Sequence, residues 1–236
     1  MISVIIPALD EAPIVGQVVR DVLAELARLG QPAEVLVADD GSTDDTARCA
    51  EQAGATVLRL PRRGKGLAVR AALQRIGGDR IVLMDSDGQD VPVELAGLLA
   101  AYESSGADFV NGSRFLGTFR DRGISSVDYW GNRALTGLAN LLCGCRLSDI
   151  NASYRVIRRV AVEPLGWSFE EFEIESEMIL KASRAGLKIV EVPVTRERRL
   201  GGVRKFRKVR HGLRILMTIL KVRFAWSPPV PAGRRP

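Results

Sequence analysis

The feature that most constrains this chain is a regular alternation of short apolar runs with longer segments of helical periodicity. The apolar runs are rich in β-branched residues and predict buried strands at 2–6, 34–38, 56–60, 80–84 and 108–111. The intervening segments repeat apolar residues every three or four positions and predict helices at 14–29, 42–53, 65–76 and 92–102. Strands that are apolar throughout and alternate with helices are typical of a parallel sheet covered on both faces. We therefore predict an α/β domain.

Charged clusters follow four of these predicted strands directly. In open parallel sheets, ligands bind beyond the carboxyl ends of the strands, which meet at one edge. We therefore expect the clusters to lie in one site. They are Asp10-Glu11, Asp39-Asp40, the segment from Arg62 to Gly66, and Asp85-Ser86-Asp87.

The last cluster has the residue types of a magnesium or manganese site. Asp85 and Asp87 stand two residues apart after a buried strand, and Gln89 adds an amide carbonyl. These hard oxygen ligands suit Mg²⁺ or Mn²⁺, which keep waters and bridge to substrate phosphates. The alternative is a turn in which the aspartates cap a helix.

The two middle clusters suit a nucleotide. An aspartate at a strand end, Asp39 or Asp40, accepts hydrogen bonds from a ribose hydroxyl or a base, although a type I turn is the alternative. Arg62, Arg63 and Lys65 stand among glycines ahead of a helix, where backbone N–H groups cradle a diphosphate. The segment lacks the G-x-x-x-x-G-K-[ST] pattern, which disfavours a nucleoside triphosphatase.

Several enzyme classes are disfavoured by what the body lacks. The single histidine, His211, lies in the basic tail, so the body offers no Ser–His–Asp or Cys–His arrangement and no zinc set. The first strand is followed by residues 7–11, Pro-Ala-Leu-Asp-Glu, instead of the glycine pattern of dehydrogenases or the Gly-rich loop of sugar nucleotidyltransferases. Three scattered cysteines predict reduced packing residues, and we expect neither a cleavable signal nor a spanning helix.

Taken in order, the motifs resemble the inverting GT-A glycosyltransferases of family 2. The resemblance rests on residues 5–11, 37–46, 64–66 and 85–89, and the second half is similar to the polyprenyl (dolichol)-phosphate mannose and glucose synthases at 112–114, 148–155, 172–177 and 191–194. It implies a GT-A fold, with a Rossmann-like, mostly parallel sheet flanked by helices and a basic amphipathic C-terminal helix. It also implies that a sugar moves from a UDP- or GDP-sugar to a polyprenyl phosphate with the help of Mg²⁺ or Mn²⁺.

The resemblance also implies roles for individual residues. Asp85, Asp87 and Gln89 would hold the metal, and Asp87, Asp149 and Arg114 would be catalytic. Arg114, Arg155 and Lys205 would bind the acceptor or its phosphate, although 201–205 departs from the pattern of relatives. The nucleotide-sugar would be bound by Pro7, Ala8, Glu11, Asp39, Asp40, Lys65, Asp85 and Ser86.

Asp149 would be needed as a general base only with certain acceptors. A phosphate acceptor is anionic and needs no general base, whereas a hydroxyl acceptor needs one, for which Asp149 is the candidate. A soluble small-molecule acceptor is the main alternative to a polyprenyl phosphate. A non-catalytic membrane-surface module is the alternative from another class, but it would leave the four strand-end clusters without a role.

The basic charge is concentrated at the C-terminus, because residues 196–236 carry a net charge of +12 and residues 1–195 carry −6. We predict a catalytic domain at 1–200, a basic amphipathic helix at 201–226 and a disordered Pro-rich tail at 227–236. Three interpretations of the helix stay open: attachment to an anionic membrane, packing on the body, and nucleic-acid binding, which the absence of a recognised nucleic-acid fold disfavours. We expect a cytoplasmic protein, peripheral at the inner face of the plasma membrane.

Residues 115–130 form a long polar stretch with several glycines and serines. Loops of this length are usually functional, so we predict a loop that orders when a ligand binds. A plain surface excursion is the alternative.

Overall fold

The computed structural model describes residues 1–116, 126–168, 170–199 and 208–229, which build one seven-stranded sheet with helices on both faces. In chain order the strands are β1 (Ile2–Ala8), β2 (Ala33–Asp39), β3 (Thr56–Arg59), β4 (Arg80–Leu83), β5 (Phe109–Ser113), β6 (Arg155–Arg158) and β7 (Ile189–Pro193). Their order across the sheet is β3-β2-β1-β4-β6-β5-β7. Only β6, among these strands, runs antiparallel to its neighbours β4 and β5. The predicted α/β architecture with a mostly parallel sheet is confirmed.

Helices connect the strands and cover both faces of the sheet. They are α1 (Ala12–Leu29), α2 (Thr46–Gln52), α3 (Lys65–Leu73), α4 (Leu95–Ser105), α5 (Ser126–Cys143), α6 (Arg159–Val162), α7 (Ile174–Arg184) and α8 (Lys208–Phe224). Helix α1 ends as predicted at Gly30, whose φ of +63° is in the left-handed region. Over the described residues, no helix combines the length and the apolar character that a bilayer crossing requires.

The sheet separates two apolar layers, because successive side chains of a strand point to opposite faces. Ile2, Val4 and Ile6 of β1 pack with the buried faces of α1 and α4. Ile5 of the same strand and Phe109 of β5 pack on the other face with α3, α5, α7 and α8. Each such side chain, fully buried, contributes about 1.5–3 kcal/mol. The strand ends are therefore held rigidly at the edge where the charged clusters emerge.

Helix α8 packs on the body, as one of the three interpretations held. Ile215, Ile219 and Val222 are buried in the second apolar layer. The opposite side of α8 leaves large apolar side chains in solvent, with exposed fractions of 78% for Val209 and 70% for Phe224.

Helix α5 corrects the end of the loop predicted at residues 115–130, because residues 126–130 are helical. The helix begins at Ser126, and Asp128 lies in its first turn, where an acidic side chain is favourable beside the helix dipole. Residues 117–125 lie outside the described residues. The cysteines Cys49, Cys143 and Cys145 are free, as the sequence predicted.

Candidate functional site

A cavity of about 980 Å³ lies at the carboxyl ends of the parallel strands. Residues from all four predicted clusters line it, as the strand-end argument required. Its wall includes Glu11 from the loop after β1, Asp40 after β2, Lys65 at the start of α3, and Asp85 and Asp87 after β4. Pro7, Ala8 and Ser86, which were also assigned to the nucleotide-sugar, line the same cavity.

The loops after β1 and β2 fasten each other by hydrogen bonds. The Asp10 N–H donates to Ser42 Oγ at 2.9 Å, and the Glu11 N–H donates to Thr46 Oγ1 at 2.7 Å. In return, the Thr43 N–H donates to Asp10 Oδ1 at 2.7 Å. These bonds hold Asp10 at a φ of +47°, which residues with a Cβ rarely adopt. They also fix the position of Glu11, the next residue along, on the cavity wall.

Asp39 and Asp40, which the sequence assigned to the nucleotide together, have different surroundings. Asp39 Oδ1 accepts the Ser42 N–H at 3.1 Å, and this side chain is not among the residues that line the described cavity. Asp40 lines the cavity, and its Oδ1 accepts the N–H groups of Arg63 at 2.8 Å and Gly64 at 3.0 Å. Burial raises the pKa of Asp40, and these two bonds oppose that effect. Asp40 thus fixes the shape of the Arg-rich loop.

Lys65 joins two sides of the cavity. Its Nζ lies 2.6 Å from Asp85 Oδ1 and also forms an ion pair with Glu175 at the start of α7. The Phe172 ring centroid lies 5.6 Å from the same nitrogen. Burial opposes the charge, but the two carboxylates outweigh it and raise the pKa of Lys65, so the amine stays protonated.

The three predicted metal ligands direct oxygen atoms at one cationic atom, Nη2 of Arg196. Asp85 Oδ2 and Gln89 Oε1 each lie 3.1 Å from it, and Asp87 Oδ2 lies 3.9 Å away. The other terminal nitrogen, Nη1, donates to Asp90 Oδ1 at 2.7 Å. A guanidinium group therefore lies at the point on which the predicted ligands converge.

A second arginine from the same segment joins the site. Arg199 Nη1 lies 3.2 Å from Asp87 Oδ2, and Nη2 forms an ion pair with Glu11. Burial and the charge of Asp85 raise the pKa of Asp87 to about 6. Burial would also raise the pKa of Asp85, but the charges of Lys65 and Arg196 outweigh that effect and lower the pKa of this carboxyl. The site is thus rich in carboxylates, and the negative charge of these carboxylates is balanced by the lysine and arginine side chains that pair with them.

The donor set fits a divalent cation that completes its shell with other ligands. Two carboxylates and an amide oxygen are hard donors, and their convergence on a positive nitrogen indicates room for positive charge at that point. Within the described residues, no three Asp, Glu, His or Cys side chains form a complete metal group. Mg²⁺ usually takes one or two carboxylates plus water and substrate phosphates. The pair Asp85 and Asp87 is therefore sufficient.

Arg114 and Asp149 form a buried pair at another part of the cavity. Arg114 Nε and Nη2 donate to the two oxygens of Asp149 at 2.7 and 2.8 Å. Asp149 is 0% exposed, and it also accepts the Asn151 N–H at 3.0 Å. Burial opposes ionisation, but Arg114 outweighs it and lowers the pKa of Asp149. Arg114 lines the cavity, whereas Asp149 lies behind it.

Arg155 and Lys205 were both predicted to bind the acceptor. The placement of Arg155 contradicts that assignment, because its side chain is 0% exposed and donates to Asn111 Oδ1 and to the backbone oxygens of Glu175 and Ile150. A guanidinium used in this way connects β6 to α7 and does not reach the cavity. Lys205 lies outside the described residues.

Three cavity residues were missed or misplaced by the sequence analysis. Arg196 and Arg199 were counted with the basic tail, yet they follow β7, a parallel strand, so the strand-end argument would have found them. His211 was placed in the basic tail and was given no role in the site. It is buried on the cavity wall, and its ring lies 4.9 Å from that of Phe172 in an edge-to-face contact.

Comparison with known proteins adds family information to this geometry. A family model described as glycosyl transferase family 2 matches residues 3–166. The low-salt glycan biosynthesis hexosyltransferase Agl6 of Haloferax volcanii is 35% identical over 201 residues, which are 85% of this chain and 48% of that protein. The chain thus spans about half the length of this relative. The dolichyl-phosphate hexose transferase of the same organism is 30% identical over 186 residues, covering 78% of this chain and 79% of that protein.

Solved structures share the fold. Glucosyl-3-phosphoglycerate synthase from Mycobacterium tuberculosis, in complex with Mn²⁺ and uridine-diphosphate-glucose, superposes with a TM-score of 0.74 at 24% sequence identity. The match covers 98% of this chain and 80% of that chain. At this identity the likeness establishes the fold alone.

Proposed function

The chain belongs to glycosyl transferase family 2, and we propose that it transfers a hexose from a UDP- or GDP-sugar to a polyprenyl phosphate. The observation that carries the proposal is the convergence of Asp85, Asp87 and Gln89 on one cationic centre at the wall of a large strand-end cavity. The name of the dolichyl-phosphate hexose transferase supports the choice of acceptor.

On the donor side, the proposed contacts follow from the loops already described. Asp40 holds the loop at residues 62–64, and this loop and the Glu11 carboxylate would enclose the base and ribose. Lys65 is protonated and lies beside the carboxylates, where it would meet the diphosphate. Cations beside acids at one cavity wall suit a ligand that carries both hydroxyl groups and phosphates.

The proposed chemistry follows from where charge develops. Breaking the anomeric C–O bond places positive charge on the sugar and negative charge on the departing diphosphate. A divalent ion held by Asp85, Asp87 and Gln89 would supply electrostatic stabilisation of that leaving group. Lys65 adds a fixed positive charge at the same wall, so the diphosphate would leave into a preorganised cationic environment.

On the acceptor side, Arg114 is the residue that we propose to contact the attacking phosphate. Both oxygens of Asp149 accept hydrogen bonds, so this carboxylate is poorly placed to remove a proton. Its proposed role is to orient the Arg114 guanidinium toward the cavity. A polyprenyl phosphate is already anionic and needs no general base, which agrees with this arrangement.

The outer surface of α8 supports peripheral attachment to a membrane. Val209, Leu213, Met217 and Phe224 are exposed along one side of the helix, and Arg223 lies beside Phe224. Apolar residues bordered by cations suit an anionic lipid surface. We therefore propose that α8 brings the cavity to the cytoplasmic membrane face, where a polyprenyl phosphate presents its head group.

A soluble phosphorylated acceptor is the second candidate. The glucosyl-3-phosphoglycerate synthase that shares the fold is named for such a molecule. A lipid phosphate and a soluble phosphate would present the same group to Arg114, so an experiment must separate them.

A partition assay tests the proposal. The protein is incubated with Mn²⁺ and radiolabelled UDP- or GDP-hexoses, with a polyprenyl phosphate or with phosphoglycerate, and the label is divided between organic and aqueous phases. We expect label in the organic phase with one of the donors, and its loss when the metal is chelated. Product only in the aqueous phase would replace the lipid acceptor with a soluble one. If none of the donors in a complete panel released its nucleotide, the result would contradict transferase activity and favour a binding module.

A further inference from the structure

We infer that Arg196 and Arg199 are exchangeable counter-ions of the metal site, which leave its carboxylates when a divalent cation binds and then bind the donor diphosphate. The inference deepens the proposed function and rests on it for the identity of the diphosphate ligand. It gives a role in donor binding to two arginines that the sequence analysis counted only in the net charge of residues 196–236.

A divalent cation and the two guanidinium groups would use the same oxygen atoms. Arg196 Nη2 donates to Asp85 Oδ2 and Gln89 Oε1, both at 3.1 Å, and Arg199 Nη1 donates to Asp87 Oδ2 at 3.2 Å. Each predicted metal ligand therefore directs an oxygen at a positively charged N–H. An ion held by all three residues would lie where their oxygens converge, and Arg196 Nη2 now lies at that point, so the ion and this group cannot be there together.

The Arg196 guanidinium and a divalent ion would neutralise the same group of carboxylates. Asp85, Asp87 and Asp90 all lie within 4.0 Å of Arg196, at 3.1, 3.9 and 2.7 Å. Three largely buried carboxylates without a cation would repel one another, and the guanidinium removes that repulsion in the metal-free protein. A divalent ion removes it as well. With the ion present, a guanidinium at the same place would be repelled by the positive charge of the ion, and its attraction to the neutralised carboxylates would be weaker.

The Arg196 side chain can leave the carboxylates without movement of its backbone. The Glu197 N–H donates to the Gln89 backbone oxygen at 3.0 Å, and Gln89 Nε2 donates to the Glu197 backbone oxygen at 2.9 Å. Asp90 and Arg196 also form an isolated antiparallel bridge. These contacts fasten the segment to the loop after β4. For Arg196 the exchange is therefore a rotation of a long side chain about a fixed backbone, and its guanidinium stays within reach of the cavity.

The displaced arginines would remain beside the nucleotide-sugar. Both line the cavity that we assign to the nucleotide-sugar. Once the ion neutralises the carboxylates, the donor diphosphate is the next anion in that cavity, and guanidinium groups bind phosphate oxygens in bidentate fashion. Metal and nucleotide should therefore strengthen each other's binding, because the ion frees the arginines that the diphosphate uses.

The test measures Mn²⁺ binding without any sugar, from the electron paramagnetic resonance signal of the free ion. It compares wild type with Arg196→Gln and with Arg198→Gln as matched control. The Arg198→Gln substitution removes the same charge, and Arg198 lines the same cavity. Among the described residues, however, Arg198 has no ion pair with Asp85, Asp87 or Asp90. We expect Arg196→Gln to bind Mn²⁺ about tenfold more tightly, the effect of losing one charge-assisted competitor. The control should stay within about twofold, because a charge that makes no ion pair with the metal ligands does not compete with the ion for their oxygens and is partly screened by solvent.

The second measurement adds UDP or GDP. In wild type, saturating Mn²⁺ should raise nucleotide affinity by about tenfold or more, and in Arg196→Gln this gain should shrink although Mn²⁺ binds more tightly. The metal-free variant should also melt at a lower temperature than wild type, and Mn²⁺ should remove that difference. Arg196→Lys keeps the charge and should retain near wild-type Mn²⁺ affinity, which covers the case in which the glutamine variant folds poorly.

Equal or weaker Mn²⁺ binding by a folded Arg196→Gln protein would overturn the exchange and leave Arg196 as a structural residue. This outcome is independent of the proposed function, since no sugar is present. A protein that transfers no sugar can still show the exchange, and a protein that transfers sugar can still fail to show it.

Discussion

The two sides of the cavity are assembled differently, although both are densely charged. The acidic side comes from loops that directly follow β1, β2 and β4, and bonds between neighbouring loops position its carboxylates. The cationic side depends on distant partners. Arg114 pairs with a carboxylate 35 positions away, Arg196 with one 106 positions away, and Arg199 with one 188 positions away. Local sequence order therefore places the acids beside one another, whereas the arginines lie far along the chain from the carboxylates that they pair with, and only the tertiary fold brings each pair together.

The difference changes the meaning of the charge distribution. The sequence divides into a body of −6 and a C-terminal segment of +12, which resemble two separate surfaces. The structure joins them, because Arg196 and Arg199 at the start of the basic segment neutralise acids of the body. Arg223 near the end of α8 stays exposed. One basic segment thus supplies both an internal counter-charge and an external surface.

The largest expected effect comes from the acidic side. Asp87→Asn should reduce sugar transfer by about a hundredfold to a thousandfold, because it removes a charged ligand from the proposed metal site that would stabilise the leaving group. Its effect on stability should have the opposite sign. The fold raises the pKa of Asp87 from 3.8 to about 6, so its ionisation costs stability as the pH rises through that range. At pH 7 the neutral variant should melt no lower than the metal-free wild type.

Asp79→Asn is the control for this comparison. Its side chain is 85% exposed and lies away from the cavity, so transfer and melting temperature should stay unchanged. Transfer by Asp87→Asn at the wild-type rate under saturating Mn²⁺ would refute the metal assignment.

The cationic side should respond more weakly and through coupling. Asp149→Asn should lower turnover by about tenfold to a hundredfold, because Arg114 loses one of its two charged bonds and its orientation. Arg114→Lys should have a similar effect, since an ammonium cannot form the same fork. The double variant should be little worse than either single one, which a double-mutant cycle of turnover would measure. Fully additive losses would mean that the two residues act separately.

The same pair makes a pH prediction. The fold lowers the pKa of Asp149 below its ordinary 3.8, so the pair stabilises the protein above that pH and loses its contribution as the pH falls further. Asp149→Asn should therefore be less stable than wild type at pH 7, and the difference in unfolding free energy should narrow below pH 3.8. If the difference in unfolding free energy stayed constant across this pH range, the stability effect of the substitution would not depend on the charge of Asp149.

The sequence predicts the acidic side of the cavity and the elements that carry it better than it predicts the partners of the arginines. The strands and helices of residues 1–113 could be placed from periodicity, and the acidic clusters from their position after strands. Strand β6 could not, because it has four residues, two of them arginines, and runs against the parallel pattern. Its Arg155 resembles a ligand-binding residue in sequence, yet the fold uses it as a buried connector. The burial of an arginine depends on partners that no local pattern reveals.

Adjacent aspartates on the acidic side allow a finer test. Asp40→Asn should raise the KM for the donor by about tenfold, because a side-chain amide cannot accept the N–H groups of Arg63 and Gly64 as a carboxylate does. Asp39→Asn should affect the melting temperature more than the KM, since Asp39 closes the turn at Ser42 away from the cavity. Sequence gives the two residues equal weight. Equal effects on KM would show that the difference in their surroundings has no functional consequence.

The smallest expected effect lies on the outside of the basic segment. Arg223→Gln should weaken sedimentation with anionic vesicles by about fivefold, since each cation near such a surface contributes about 1 kcal/mol. Arg20→Gln is the matched control, because Arg20 is an exposed residue of α1 on the opposite face of the sheet from α8. Neutral vesicles should bind both variants and wild type alike. Equal losses for the two variants would assign any attachment to net charge and would exclude α8 as the contact surface, whereas a loss confined to Arg223→Gln assigns the contact to α8.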